Sequence, residues 1–563
     1  MKKNSRKQKK IYYADTETTT FDEENGVKIY LWCIIDDEDN EYFNFDVKSL
    51  YNFLSKTDGI FYFHNLKFDF SYLEYYMLKH NIKYSINERN GVIYRVKFGN
   101  CELRDSMNLI NLSLDEIGKT YCEKYQKTKI DYESADYYHE ATTEEIEYCL
   151  NDCYVLREGL QNWKKNLIKL LENNNAIQTS KQVDKKLTYA GIAFEAFKEL
   201  SVYEKSCPKT TVDEYRLLSP AYRGGYVYSK PCGILKDIMM IDCNSMYPYI
   251  YMTKRLPYGN GYKCLDYNKI LTKDFYVINI NISFNLKPNY IPIIGGGIGK
   301  YGGTLYHKTT NGKEMNITIC RYDWELIQEF YDFEFTYNWG YWWNTKANFY
   351  LDYGTIFMNE KKQAKTQVVR NLAKMMLNSP YGKTAMNGLS EIRNYFIDED
   401  EKVKSNIIGY DLDKKLYQYI PQAISITAQA RSHLLNTAKK IGFDNVYYMD
   451  TDSIKFDSKF VDLSTIWLDD KELGAWKDEG HPLFFKTIAP KKYIKYDNNK
   501  LEITCAGFSK KALTEQLYHG QTIDEKTAFN LMCKFDKGLS IDCLQSFKVK
   551  GGRALIKLPK SII

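Results

Sequence analysis

Twice along this chain a short apolar run leads into two carboxylates spaced two residues apart. Ile11-Tyr12-Tyr13-Ala14 precedes Asp15-Thr16-Glu17, and Val446-Tyr447-Tyr448 precedes the Asp450-Thr451-Asp452 pair. On an extended strand, positions i and i+2 point to the same face. Each pair can therefore set two hard oxygen ligands side by side where a strand ends. Mg²⁺ takes such ligands together with substrate phosphates. Asp is also abundant in turns, so the rest of the chain has to decide what either pair does.

At 563 residues the chain exceeds an ordinary single core, and several domains are expected. Its 44% hydrophobic and 27% charged residues are those of a soluble globular protein. No apolar run reaches the roughly 18 residues that span a bilayer, so no membrane partner is expected. Residues 1–10 carry six Lys or Arg without a following signal-peptide core and read as a solvated basic tail. The net charge of +6 permits a polyanionic partner. The 13 cysteines include no Cys-x-x-Cys pair, the closest spacing being Cys149 to Cys153. Neither a zinc site nor a disulfide framework is expected, and a reducing cytosol is the natural compartment. The 50 tyrosines can stack on bases, although an AT-rich genome would also enrich Tyr.

The front of the chain alternates strand-like and helix-like segments: strands at 11–14, 29–35, 59–63 and 92–98, and helices at 68–78 and from Thr142 through Leu160. This is an α/β domain. Asn173-Asn174-Asn175 reads as a linker. Asp237 to Ile241 is a buried-strand pattern that ends at Asp242, and short strands and turns fill 254–345. Gly297, Gly299 and Gly302 fit a dinucleotide spacing, but Thr304-Leu305-Tyr306 opens no helix, so a loop is expected there. Asn359 to Leu377 reads as one long amphipathic helix carrying Lys362, Arg370 and Lys374 on a shared face. From Ala506 onward a helix gives way to a strand-like end at 548–558.

Four acids from three front elements, Asp15, Glu17, Asp69 and Asp152, are the complement of a two-metal phosphodiester hydrolysis site. Tyr148 stands one helical turn before Asp152 and could orient an attacking water. In this order Asp15-x-Glu17, Asn65-x-x-x-Asp69 and Tyr148-x-x-x-Asp152 resemble the three exonuclease motifs of proofreading DNA polymerases. The resemblance implies a ribonuclease-H-like 3′→5′ exonuclease with metals on Asp15, Glu17, Asp69 and Asp152. It further implies that Thr18, His64, Asn65, Phe68, Ser106, Met107 and Tyr132 hold a single-stranded primer end. Lys127 matches a catalytic lysine of the phage branch.

A second constellation follows. Asp242-Cys243-Asn244-Ser245-Met246-Tyr247-Pro248 resembles motif A of family B polymerases, with Met246 in place of the common Leu. Lys374-x-x-x-Asn378-Ser379-Pro380-Tyr381-Gly382 resembles motif B, and Asp450-Thr451-Asp452 takes the place of motif C. The resemblance implies metal ligation by Asp242, the Cys243 carbonyl and Asp452, with Asp450 in support. Lys362 and Lys374 would hold the triphosphate, and Tyr247, Asn378 and Tyr381 would line the nucleotide site. It also implies DNA contacts from Tyr222-x-Gly224-Gly225, Thr427, Arg431, Lys491 and Tyr493. Pro380 is unusual in the motif and is expected to mark a helix end.

The first exonuclease motif begins at residue 15, and two insertions separate the polymerase motifs. This pattern resembles the protein-primed branch of family B found in small tailed bacteriophages. The implied fold class is α/β multidomain, a ribonuclease-H-like exonuclease joined to a right-hand polymerase. Its implied divisions are exonuclease 1–175, palm 176–253 and 419–505, a terminal-protein insertion 254–349, fingers 350–385, a processivity and strand-displacement insertion 386–418, and thumb 506–563. The implied cofactor is Mg²⁺, two per active site, with Mn²⁺ as a substitute. The implied partners are primer-template and single-stranded DNA, dNTPs and a terminal protein primer. The enzyme would act as a monomer or paired with that protein, in the cytoplasm of an infected bacterium. Rival readings are a nucleic-acid-primed relative, or a nuclease or scaffold without synthesis.

Overall fold

The structure is a computed structural model and describes residues 9–129, 135–299, 303–413, 417–508, 510–537 and 540–561. The front sheet has seven strands in the order Glu41–Asn44, Ile29–Asp36, Lys10–Thr18, Gly59–Phe63, Cys101–Asp105, Val92–Phe98, Ser85–Arg89. Lys10–Thr18, Gly59–Phe63 and Cys101–Asp105 run parallel at its centre, and the outer pairings are antiparallel. Ile29–Asp36 is buried along its whole length, as expected for a strand covered on both faces.

Alternation along Lys10–Thr18 divides its side chains between two cores. Tyr13 packs with Cys149, Cys153, Leu156 and Leu160 of the helix Thr143–Asn173. Tyr12 and Ala14 pack with Leu66, Phe70 and Leu73 of the helix Leu66–Lys79. The helix Thr143–Asn173 opens with a capping box between Thr142 and Glu145 and runs beyond the expected Leu160.

A second sheet has five antiparallel strands in the order Trp476–Gly480, Ile238–Cys243, Ser453–Asp457, Val446–Asp450, Val227–Ser229. Helix Ile420–Ile441 packs against it and against Met246–Thr253, and all but a few of its residues are buried. Between these elements lies a four-stranded sheet in the order Leu256–Cys264, Tyr331–Lys346, Phe275–Leu286, Met315–Cys320. The Gly-rich segment forms the strand Ile294–Ile298 paired with Thr304–His307, so it cradles nothing at a helix start. Residues 389–412 form a hairpin of Leu389–Ile397 on Val403–Leu412.

The chain end folds back on its beginning. In the hairpin Ser540–Val549 and Gly552–Ser561, Val549 and Ala554 join the core of the front sheet. Gly551 sits at φ 86°, and a Cβ there would lie 2.0 Å from the Val27 carbonyl oxygen. Among the described residues no helix is long and apolar enough to cross a membrane.

Two expectations of local structure need correction. The segment 359–377 is two helices, Leu351–Gln363 and Gln367–Asn378, broken at 364–366 and packed as a hairpin. Thr366 caps the second by accepting from Val369 N. Lys362 therefore lies on a different helix from Arg370 and Lys374, and no single helical face carries all three. Asp450 and Asp452 also do not continue on one strand. Asp450 pairs with Ser453 across a tight turn, with Thr451 at φ 59°, so the rule that i and i+2 share a face does not apply to them.

Candidate active sites

The front site forms where Lys10–Thr18 meets the helix Thr143–Asn173. Asp15 and Glu17 share the face toward that helix, and Thr16 points to the other, where its hydroxyl donates to Asp69 at 2.7 Å. Asp69 lies close enough to Asp15 and Glu17 to repel both. Asp152 is 2% exposed and pairs with Lys127, which also donates to Tyr148 Oη at 2.9 Å. Lys127 sits 4.9 Å from the Tyr148 ring centre.

Burial pushes all four carboxyls up, and repulsion from the neighbouring acids adds to it at Asp15 and Glu17. Glu17 is raised to about 8, by burial and then by Asp152. Asp69 is raised to about 7 by burial, and Asp15 and Asp152 rise for the same first reason. Four acids around one cation is an arrangement short of positive charge. Asp152 Oδ1 is buried without a hydrogen-bond partner among the described residues. Hard oxygen donors, excess negative charge and an orphaned oxygen fit a site for divalent cations.

The residues expected to hold a DNA end divide into two groups. Asn65, Phe68, Thr18 and Met107 remain partly or fully exposed around the site. His64 and Ser106 are engaged within the protein: the half-buried His64 ring nitrogens meet Ser106 Oγ and the Leu112 carbonyl, each at 2.9 Å. Ser106 is buried and donates to the Phe63 carbonyl. These two brace the loop from within. Asp105, which sequence reasoning passed over, accepts from Asn65 N and Met107 N at 3.0 Å each and ties the two exposed segments together. Tyr132 lies outside the described residues.

The second site lies at the end of the five-stranded sheet. Asp242 is in register with Ser453, and Cys243 N donates to the Asp452 carbonyl at 2.7 Å. The Asp242 carboxyl is raised to about 7 by burial and then by Asp452, and Asp452 is raised as well. Asp450 is occupied differently: Lys491 Nζ pairs with it at 2.6 Å and Tyr448 Oη donates to it at 3.3 Å. Two carboxylates raised by burial and one paired with a lysine are consistent with unequal roles at a cation site. Tyr493 tilts against Tyr448 at 5.0 Å.

Tyr247 and Tyr381, distant in sequence, stack at 4.3 Å with an 18° interplanar angle. Tyr222 adds a third phenol beside them. Lys362, Lys374 and Asn378 are exposed on the helical hairpin. The hairpin also brings in Lys361, which was not anticipated. It is half-buried, its Nζ is 3.4 Å from Ser245 Oγ, and burial followed by Lys374 and Arg370 lowers its pKa. Lys455 was missed too. It is 6% exposed, lies 4.8 Å from both the Tyr448 and Tyr493 rings, and is lowered to about 8 by burial.

Gly224 is exposed and Gly225 lies against the turn, with an ideal Cβ 2.4 Å from Thr451 Oγ1. Thr427 and Arg431 do not present groups to a template in this structure. The Thr427 hydroxyl donates to the Ala423 carbonyl at 2.9 Å within its own helix. Arg431 is buried, forks onto Asp323 at 2.7 Å, and donates to the Arg223 and Gly224 carbonyls. Its place is to hold the 222–225 segment, since a guanidinium buried in such a fork is already satisfied.

The sequence pattern of the family "DNA polymerase type B, organellar and viral" matches residues 50–143 and 136–458. The DNA polymerase of Bacillus phage Nf is 28% identical over 524 residues, covering 86% of this chain and 87% of its own. That of Streptococcus phage Cp-1 is 27% identical over 595 residues, covering 96% and 98%. The fold is similar to that of phi29 DNA polymerase complexed with primer-template DNA and incoming nucleotide substrates, with a TM-score of 0.81 at 22% identity, covering 99% of this chain and 100% of that one. With the family pattern spanning most of its length, the chain belongs to the type B DNA polymerases of organelles and viruses.

Proposed function

We propose that this DNA polymerase replicates a phage genome from a terminal protein primer, edits its own 3′ ends, and separates strands as it advances. One observation carries the synthetic site. Asp242, at the end of strand Ile238–Cys243, and Asp452, in the turn before strand Ser453–Asp457, are distant in sequence but adjoin through the Cys243–Asp452 hydrogen bond, and their carboxyls repel. Asp242, Asp452 and the Cys243 carbonyl would hold the synthetic-site ions, Mg²⁺ or Mn²⁺, and Asp15, Glu17, Asp69 and Asp152 those of the editing site. Such ions supply positive charge to the attacking and leaving oxygens of phosphoryl transfer.

The chain's own residues do the rest. Lys362, Lys374 and Lys361 meet the triphosphate as point charges. The Tyr247–Tyr381 stack forms a flat wall under the nucleotide sugar, where a 2′-hydroxyl has no room. Asn378 borders the same nucleotide. Lys491 and Tyr493 hold the primer strand beside Asp450, and Tyr222, Gly224 and Gly225 follow the DNA backbone. Arg431 acts on DNA through the 222–225 segment it holds, and Thr427 supports the helix that carries Arg431. At the editing site Asn65, Phe68, Thr18 and Met107 receive the frayed end, with Phe68 stacking on a base. His64 and Ser106 set the loop, Tyr132 belongs to the same expectation, and Tyr148 with Lys127 orients the water that attacks the last phosphodiester. The segments 254–349 and 386–418 are assigned to the terminal protein and to the grip on DNA.

Protein priming is tested by incubating the chain with a candidate terminal protein, Mg²⁺ and labelled dATP. The expected result is a covalent label on that protein. Primer extension on DNA with no label in any terminal-protein reaction would favour nucleic-acid priming. Gly225→Ala is expected to cost about 1–3 kcal/mol by overpacking, because the new methyl meets Thr451. Primer extension should fall several-fold while digestion of single strands holds, and equal losses of both would mean that the fold had failed.

A further inference from the structure

Cys149 follows Tyr148 on the helix Thr143–Asn173 and is buried. Its Sγ and one carboxylate oxygen each from Asp15 and Glu17 all lie within 4.8 Å of one another. The thiol reaches the Asp15 carbonyl at 3.7 Å, a weak contact. Glu17 is 5% exposed, and no hydrogen bond to the Asp15 or Glu17 carboxylate occurs among the described residues. The nearby Asp152 Oδ1 is buried without a hydrogen-bond partner among the described residues. Three ligand atoms of mixed character therefore converge on the buried side of the front site.

The mixture decides which ions the site accepts. Two carboxylates alone suit Mg²⁺ or Mn²⁺, and sulfur contributes little to hard ions. Adding a thiolate makes an oxygen–oxygen–sulfur set, which borderline-soft ions prefer. We propose that Cys149 is a third ligand beside Asp15 and Glu17, and that this site captures Zn²⁺ or Cd²⁺ through two carboxylates and one thiolate. Capture forms a metal–sulfur bond and breaks the S–H bond, and the proton passes to solvent with no change of oxidation state. Capture blocks editing and spares synthesis, because no cysteine Sγ joins the carboxylates of the second site among the described residues. This rests on the reading of the front site as the editing site.

The test titrates the metal-free full chain with CdCl₂ and reads the thiolate-to-cadmium charge-transfer band. Other cysteines contribute a background, so the comparison is with Cys149→Val and Cys149→Ser, both first checked for folding by circular dichroism. The expected result is a tight first step with release of a proton in the parent chain, absent from both variants. Asp15→Ala with Glu17→Ala should weaken that step at least about tenfold. A first step of equal size in the Cys149 variants overturns the proposal. So does a step that persists at full affinity without the two carboxylates. Mg²⁺-dependent digestion by the parent chain is measured separately: its absence would sink the editing reading, whereas the cadmium step reports on the ligand set alone.

Discussion

Replacing Asp452 with Asn is expected to lower dNTP incorporation by about a thousandfold or more, a loss of roughly 4 kcal/mol of transition-state stabilisation. Digestion of single-stranded DNA should stay close to the parent rate. Asn keeps the shape and the backbone bond from Cys243 N to the residue 452 carbonyl. It removes the negative charge that would hold the cation, and the developing oxyanion depends on that cation. The change should not unfold the chain. Asp452 is raised by burial, and its charge in turn helps raise Asp242 to about 7, so the variant relieves repulsion at neutral pH. Thermal unfolding should therefore occur at the parent temperature or slightly above it in the absence of metal. Primer extension, 3′-end digestion and a melting curve on one preparation check all three points. Surviving extension, or loss of both activities in a folded protein, would refute the separation of the two sites.

Much of this was legible because it depends on local spacing. The alternation in Tyr12-Tyr13-Ala14 put the front strand between two cores and aimed Asp15 and Glu17 at one of them. Tyr148 and Asp152 shared a helix face as four-residue spacing requires. Pro380 was expected at a helix end: the helix Gln367–Asn378 does stop just before it, but Pro380 itself opens the short helix Pro380–Thr384, where its missing N–H costs nothing. The expectations that failed concerned tertiary satisfaction, which spacing does not encode. No Gly or Pro announces the break at 364–366, so one periodic stretch read as one helix. Arg431 looked like a cation for DNA until Asp323, 108 residues away in sequence, claimed it. His64 and Ser106 were polar and near the site, but their hydrogen bonds close on each other and on backbone carbonyls. Cys149 and Lys455 carried no motif of their own, and only folding places them beside carboxylates.

The double replacement Asp15→Ala with Glu17→Ala is expected to abolish digestion, by about a thousandfold or more, and to leave primer extension intact. It should also change how stability depends on pH, in a direction the buried carboxyls fix. Glu17 is held at about 8 against an ordinary value of 4.5, and Asp69 at about 7 against 3.8. Between the ordinary and the raised values the folded chain binds more protons than the unfolded one. Stability therefore falls as pH rises through that window. For Glu17 the full loss is on the order of a few kcal/mol, reached above its folded value. Metal-free parent protein should accordingly melt at a lower temperature at pH 8 than at pH 5, and Mg²⁺ should restore the difference by offsetting the same charges. The double variant removes two of the crowded acids, so its melting temperature should change less over that range and should exceed that of the metal-free parent at pH 8. Asp242, raised to about 7 in the other site, leaves a residual slope in both proteins. Melting curves in EDTA at several pH values, with and without added Mg²⁺, measure this directly. A parent whose stability in EDTA is flat from pH 5 to pH 8 would show that the four front acids are not crowded as described. A double variant that loses extension along with digestion would show that the front acids also serve synthesis.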